Sequence, residues 1–247
     1  ICDAVQHAHE HGVIHRDLKP ANVLIVEPDT GGAEPQPKIL DFGIARTTDA
    51  DALLTTMQTG TGQLLGTLAY MSPEQLDAGT TVDARSDVYS VGVMLYELLA
   101  GGLPLDLVGR PLREIARLVR HVEPKRLGAL ERRLRGDLET IAATALAKEP
   151  EQRYGSAAAL AVDLRRFLAD QPIAARPQTT LYQLRKFARR NRALVGGVLA
   201  TFVVLVAGLV GVALFAADSE SARRELRVSL YEAQMNLAGA ALDSPSG

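Results

Sequence analysis

The sequence predicts a mainly α chain with a few short strands near its start, followed by a single transmembrane helix. Three observations carry this reading. Residues 193–215, ALVGGVLATFVVLVAGLVGVALF, hold no charge in 23 positions. Residues 88–100 are nearly all apolar, and residues 111–120, 137–147 and 156–169 repeat apolar side chains at helical spacing. Two apolar runs, at 23–26 and 39–40, have the brevity of strands.

In chain order, residues 3–11 place Ala4, Val5 and Ala8 among polar neighbours, a short helix that Gly12 ends. Residues 27–37 hold Gly31, Gly32 and prolines, so they read as a turn-rich loop between the two strands. Residues 44–66 are rich in Thr and Gly without periodicity and read as a long surface loop. The run 88–100, broken only by Ser90 and Glu97, is too short to cross a bilayer and reads as a helix buried on most sides. In 156–169, Leu160, Leu164, Phe167 and Leu168 form one stripe. Pro172 and Pro177 then mark a linker.

Composition narrows the function. Apolar residues make up 47% and charged residues 23%, a globular balance. Lys and Arg total 27 against 29 for Asp and Glu, net −2, which argues against a nucleic-acid partner. A lone cysteine, Cys2, excludes an internal disulfide framework, and the five histidines show no metal-ligand spacing. The average conceals a dipolar layout. Residues 1–100 carry 5 basic and 14 acidic side chains, and residues 101–192 carry 19 and 10. The chain starts at Ile1 without a visible start of a folding unit, so a fragment of a longer protein is expected.

The apolar 23-mer spans about 30 Å as a helix, the thickness of a hydrocarbon core. A buried core helix of that length would show a polar face, and a signal peptide would lie at the N-terminus. Residues 185–192 hold five basic side chains in eight, whereas the first basic residue after the segment is Arg223. The positive-inside rule puts residues 1–192 in the cytoplasm and 216–247 outside. The basic cluster reads as juxtamembrane rather than as a nucleic-acid patch, because it abuts the apolar run. Ala193, Gly197 and Thr201, with Ala207 and Gly211, stand four apart, which leaves a homodimer open.

The chemistry lies in His15-Arg16-Asp17-Leu18-Lys19-Pro20-Ala21-Asn22, followed nineteen residues after Asn22 by Asp41-Phe42-Gly43 and later by Gly66-Thr67-Leu68-Ala69-Tyr70-Met71-Ser72-Pro73-Glu74. In order and spacing these runs resemble the catalytic loop, the metal-binding triplet and the end of the activation segment of protein kinases. The resemblance covers residues 1 to about 170 and implies the large, C-terminal kinase lobe. Asp163 to Leu168, the segment from Pro172 to Pro177, the basic stretch and the apolar 23-mer resemble bacterial membrane-anchored serine/threonine kinases of the eukaryotic-like family. The run 229–236 is similar to the outer stub of such proteins.

The residue types suit phosphoryl transfer, which asks for positioning and charge neutralisation more than for covalent chemistry. The resemblance implies that Asp17 accepts the hydroxyl proton of a protein substrate and that Lys19 reaches the transferring phosphate of ATP. Asn22 and Asp41 offer hard oxygen ligands for Mg²⁺ or Mn²⁺. By the same resemblance the two strands are expected to hold the catalytic loop beside Asp41, with Leu24 under the adenine. The resemblance further implies that Arg16 pairs with a phosphate on the activation segment, where Thr47 and Thr48, and with preference Thr55, Thr56, Thr59 and Thr61, are the candidate acceptors. Thr67 contacts Asp17 and Lys19, and together with Lys19 points to serine/threonine specificity. His15, Phe42 and Gly43 are structural members of their motifs. Asp87 matches an aspartate holding catalytic-loop amides, and Glu74 with Arg153 matches a buried ion pair. The glycines at 60, 62 and 66 follow the Asp41 triplet and lack a preceding strand, so they are not a nucleotide loop.

The division expected is a kinase C-terminal lobe at 1–170, a basic juxtamembrane linker at 171–192, a transmembrane helix at 193–215 and an extracytoplasmic stub at 216–247. The resemblance assigns the grip on the nucleotide to a small lobe, whose glycine-rich loop and strand lysine are not found in the 247 residues, so the piece alone is expected to be inactive. The alternative is a non-catalytic, membrane-anchored kinase-like scaffold for partner docking. Retention of Asp17, Lys19, Asn22 and Asp41 favours the enzyme.

Overall fold

A computed structural model describes residues 1–27, 35–41, 66–77, 79–177, 179–212 and 215. Its described elements are mostly helical, and the chain divides into two units, residues 1–190 and 191–247.

The first unit opens with helix α1 (Cys2–Glu10). Asp3 stands in its first turn, where the helix dipole favours a negative charge, and His7 and His9 stand in its last. Gly12, at φ +75°, turns the chain out of the helix, a conformation that a Cβ would strain. Val5 is buried and fixes α1 against the core. Strands β1 (Val23–Val26) and β2 (Gln36–Ile39) form an antiparallel pair, with Val23 opposite Ile39 and Ile25 opposite Pro37. β2 begins three residues before the apolar run expected at 39–40. Pro37 concealed it, being tolerated because this pair has no third strand among the described residues.

The centre of the lobe is helix α2 (Ala84–Ala100), which starts four residues before the apolar run that announced it. Asp83 caps it by accepting the backbone N–H of Arg85 at 2.8 Å, and Gly101 at φ +72° ends it. Val88, Tyr89, Val93 and Met94 are buried along its length. Burial of such a side chain contributes about 1.5–3 kcal/mol relative to exposure. The polar residues on the same helix are satisfied: Ser90 Oγ donates to the Tyr70 carbonyl at 2.8 Å, and Ser86 Oγ donates to Glu74.

Helices α3 (Leu112–His121), the single turn α4 (Leu127–Leu130) and α5 (Asp137–Ala145) surround α2. Ile115 and Val119 on α3, Leu127 on α4, and Ile141 and Ala145 on α5 bury the expected stripes. Helix α6 (Ala157–Leu168) starts at Ser156, whose side chain accepts the Ala159 N–H. Leu160 is fully buried and Leu164 and Phe167 pack on the core, but Leu168 is 80% exposed. The core lies under Phe167, and Leu168, the last helical residue, falls one position past that face.

Between Pro172 and Pro177 the chain lies against the lobe, with Ile173 fully buried. It is followed by helix α7 (Thr180–Arg190). In the second unit, helix α8 (Arg192–Val212) has a mean hydropathy of 2.6 and is long and apolar enough to cross a membrane. Residues 213–214 and 216–247, which include the expected stub, lie outside the described residues.

Candidate active site

A buried carboxylate organises the loop that carries the site. Asp87, on α2, has no exposed surface, and an ion in that position must be met by donors. Its Oδ2 accepts the His15 backbone N–H at 2.8 Å and lies 2.7 Å from His9 Nε2, and its Oδ1 accepts the Arg16 N–H at 2.8 Å. Arg16 sits at φ +63°, in the left-handed region that costs a non-glycine residue about 1–3 kcal/mol. The bonds from both neighbouring amides to Asp87 and one from Gln75 Nε2 to the Arg16 carbonyl, 2.7 Å, hold the loop in that conformation. His15 is buried and bridges the loop to the chain after β2. Its Nε2 lies 3.1 Å from the Leu40 carbonyl, and its Nδ1 accepts the Asp17 N–H at 3.3 Å. The tautomer with its proton on Nε2 satisfies both.

On this loop the polar side chains converge. Lys19 Nζ donates to both carboxylate oxygens of Asp17, at 3.0 and 3.2 Å, and to Thr67 Oγ1 at 2.9 Å. Asn22 Nδ2 donates to the Asp17 carbonyl at 2.7 Å, with its Oδ2 at 3.4 Å. Leu18, buried between Asp17 and Lys19, anchors the loop from below. Pro20 opens a single 3₁₀ turn, residues 20–22, that swings Asn22 back toward Asp17. The Asp17 and Lys19 side chains remain 17% and 19% exposed, so the pair is open to a reactant.

The Leu40 N–H donates to the Asn22 carbonyl at 2.8 Å, which brings the next residue, Asp41, beside Asn22. Asp41 is exposed and stands at φ +50°. Among the described residues nothing donates to Asn22 Oδ1, because the amide is turned by the bond from its nitrogen. An amide oxygen and a carboxylate are hard donors, and two such ligands suit Mg²⁺, which completes its shell with waters and phosphate oxygens. No group of three His, Cys, Asp or Glu side chains that could enclose a metal occurs among the described residues. Leu24 lies on β1 and is about half exposed. Phe42, Gly43 and the threonines at 47, 48, 55, 56, 59 and 61 lie outside the described residues.

Behind the site, Gln75 Oε1 accepts the Ser72 N–H at 3.0 Å and the Ser72 hydroxyl at 3.1 Å, which ties off the 3₁₀ turn Pro73–Leu76. Within that turn Glu74 meets Arg153 in a two-pronged pair, Nη1 to Oε1 at 2.6 Å and Nη2 to Oε2 at 2.7 Å. Arg153 also donates to the carbonyls of Ala147, Lys148 and Arg85, so its guanidinium is fully bonded. Burial works to raise the Glu74 carboxyl, but the bonds and charge of Arg153, with Ser86, hold it below the usual carboxylate range. Three residues that the sequence did not single out join the structure around the site. His9 and Gln75 brace the loop that carries Asp17, and the half-buried Lys148 places a buried Nζ beside the ring of Tyr89. Burial pushes the Lys148 amine down to about 8. A linear motif does not reveal these, since each acts across dozens of residues of chain.

Comparisons with known proteins accord with this arrangement. The family model described as the protein kinase domain matches residues 1–164. Serine/threonine-protein kinase Pkn1 of Myxococcus xanthus is 41% identical over 170 residues, covering 69% of this chain and 23% of that protein. Serine/threonine-protein kinase PknB of Mycobacterium leprae is 42% identical over 173 residues, covering 69% of this chain and 25% of that protein. Among solved structures, the kinase domain of Mycobacterium tuberculosis PknI is 30% identical, covering 67% of this chain and 51% of that one, with a TM-score of 0.45. The chain thus spans 23% and 25% of the length of these two curated relatives. Since the family match takes in the whole loop from His15 to Asn22, the ion pair of Glu74 and Arg153 and most of α6, the chain belongs to the protein kinase domain family, with bacterial serine/threonine-protein kinases as its relatives.

Proposed function

We propose that the protein containing these residues is a serine/threonine protein kinase, anchored in the membrane by residues 193–215 with its kinase part in the cytoplasm and its C-terminal tail outside. The observation that carries the reading is the contact set of Asp17, Lys19, Asn22 and Thr67, four side chains from two separate stretches that meet at one partly open place. Asp17 receives the proton of a substrate Ser or Thr hydroxyl while that oxygen forms a bond to the γ-phosphorus of ATP and the bond to the ADP oxygen breaks. Lys19, held by Asp17 and Thr67, presents its ammonium to the phosphoryl oxygens. Thr67 keeps Lys19 in place, and Asn22 fixes the Asp17 backbone. Asn22 and Asp41 would hold Mg²⁺, which neutralises phosphate charge when bound.

The same reading divides the chain into a kinase C-terminal lobe at 1–170, a basic juxtamembrane segment at 171–192, the membrane helix at 193–215 and an outer stub at 216–247. It also implies that the 247 residues alone transfer phosphate negligibly, because the α- and β-phosphates need a small lobe to grip them. The test is phosphate transfer from labelled ATP to a Ser/Thr-containing protein substrate by the whole protein. Asp17→Asn should lower the rate by about 10²–10⁴, the usual contribution of a positioned acid–base group. Equal transfer by the two proteins would refute the role given to Asp17.

A further inference from the structure

Helix α7 has two faces with different chemistry. Its inner face is fastened to the lobe through Asp137, at the start of α5. Lys186, buried, places Nζ 2.8 Å from Asp137 Oδ2. Tyr182 donates its hydroxyl proton to the same oxygen at 3.1 Å and accepts the Ile173 N–H at 3.1 Å, while Arg176 Nη1 donates to Oδ1 at 3.1 Å. The preceding segment is pinned as well, because the buried Asp163 accepts the N–H groups of Ala174 and Ala175 at 2.7 and 2.9 Å. A segment held in this way is not a slack tether.

The outer face is unusual for a helix in water. Leu181 and Leu184, three apart, are 78% and 61% exposed, beside Arg185 and Arg189, which have no acidic partner among the described residues. Exposed leucines interleaved with arginines compose a helix that lies in a membrane interface. Chain continuity gives the same answer, since only Asn191 separates α7 from the apolar helix beginning at Arg192. Two residues of chain reach at most about 7 Å, so if a membrane span begins at Arg192, the last residue of α7 is within reach of the headgroup layer. Eleven residues make a helix of about 16 Å, longer than a headgroup layer of roughly 5–8 Å is thick, so it enters that layer along its length only by lying flat. A second copy of this chain fits less well, because a face carrying two guanidinium groups without an acidic partner among the described residues repels its duplicate.

We propose that the outer face of α7, made by Leu181, Leu184, Arg185 and Arg189, rests in the anionic headgroup layer of the bilayer that α8 crosses, while Lys186 is withheld from lipid by Asp137. This rests on the membrane-anchored reading given above. The consequence is a basic cluster divided between two jobs, with lobe docking assigned to Lys186 and Arg176 and headgroup contact to the outward arginines.

The 247 residues hold no tryptophan, and with any tryptophan elsewhere in the whole protein replaced by phenylalanine, one introduced residue reports its surroundings without background. The whole protein is placed in nanodiscs of phosphatidylcholine with phosphatidylserine, with brominated acyl chains as quenchers. Leu184→Trp should emit at blue-shifted wavelengths and lose intensity in brominated lipid. Both effects should weaken in pure phosphatidylcholine and in the Arg185→Gln/Arg189→Gln background. Leu181→Trp repeats the test should the first variant misfold. Leu205→Trp, within α8, reports the anchoring itself. Quenching at 205 without quenching at 184 and 181 overturns this proposal alone, and absence of quenching at all three overturns the membrane reading with it. A blue shift at 184 without quenching by brominated lipid means that protein, not lipid, covers the face, and that also overturns the proposal.

Discussion

Glu74 shows how a single side chain in this lobe depends on its partner. It is buried, its carboxylate has two bonds from Arg153 and one from Ser86, and Arg153 has no exposed side-chain surface. Removing the cation leaves a charge in a place that water cannot reach, so Arg153→Met should cost about 3–5 kcal/mol of stability at neutral pH. The pH dependence separates this cause from simple loss of packing. Because the folded carboxyl is held below its ordinary value, its contribution is present above the usual carboxylate range, about 4, and is lost as pH falls through the folded value. In Arg153→Met the unpaired buried carboxyl gains by protonation instead. The stability gap between the two proteins should therefore narrow on acidification from pH 7 to 4 in urea unfolding, and a constant gap would contradict the account. The pair was legible in the sequence only through the family resemblance, as 78 residues intervene. Asp17, Lys19 and Asn22 were legible because one loop carries them. His9 was not, since its bond to Asp87 exists only once α1 and α2 pack.

At the scale of elements, periodicity located the interiors of the helices better than their ends. Residues 88–100 announced α2, yet the helix starts at Ala84 because Asp83 caps it and buried polar residues, Ser86 and Asp87, fill its first turn. Helix α7 escaped notice because its inward positions are Tyr182 and Lys186, a polar spacing that acquires meaning only against Asp137. Gly92, in the middle of α2, makes the same point about packing. Local propensity says that Ala would be better there by about 1 kcal/mol. Tertiary structure says otherwise, for a Cβ at 92 would stand 2.8 Å from Ala145 Cβ and 3.2 Å from the Ala145 carbonyl carbon on α5. Backbone atoms do not swing aside, and overpacking costs about 1–3 kcal/mol. Gly92→Ala should lower the unfolding midpoint in denaturant, and adding Ala145→Gly should restore part of it. A single variant more stable than the parent would show that α2 and α5 have room to separate.

For the whole molecule, the decisive asymmetry is charge along the chain. The first hundred residues are acidic, the next ninety-two are basic, and the basic part culminates at Arg192, where α8 begins. Five cations in eight residues before the apolar span, against a first cation at Arg223 after it, set the expected orientation, because Lys and Arg near the ends of a span resist translocation. The opposite orientation would put Asp17 and Asp41 outside, where a site for ATP and Mg²⁺ has no supply. Cysteine chemistry tests this directly, since Cys2 is the only thiol in the 247 residues, burial pushes its pKa up and leaves it a slow nucleophile, and any cysteine elsewhere in the whole protein is replaced by serine. In a Cys2→Ser background, a cysteine at Ser229, beyond the span, should react in intact cells with a maleimide that cannot cross membranes. A cysteine at the exposed Ala129, on the lobe, should react only after the cells are opened. The reverse pattern would place the lobe outside and remove cytoplasmic phosphoryl transfer from consideration. Equal labelling at both positions in intact cells would mean that α8 does not separate the two compartments.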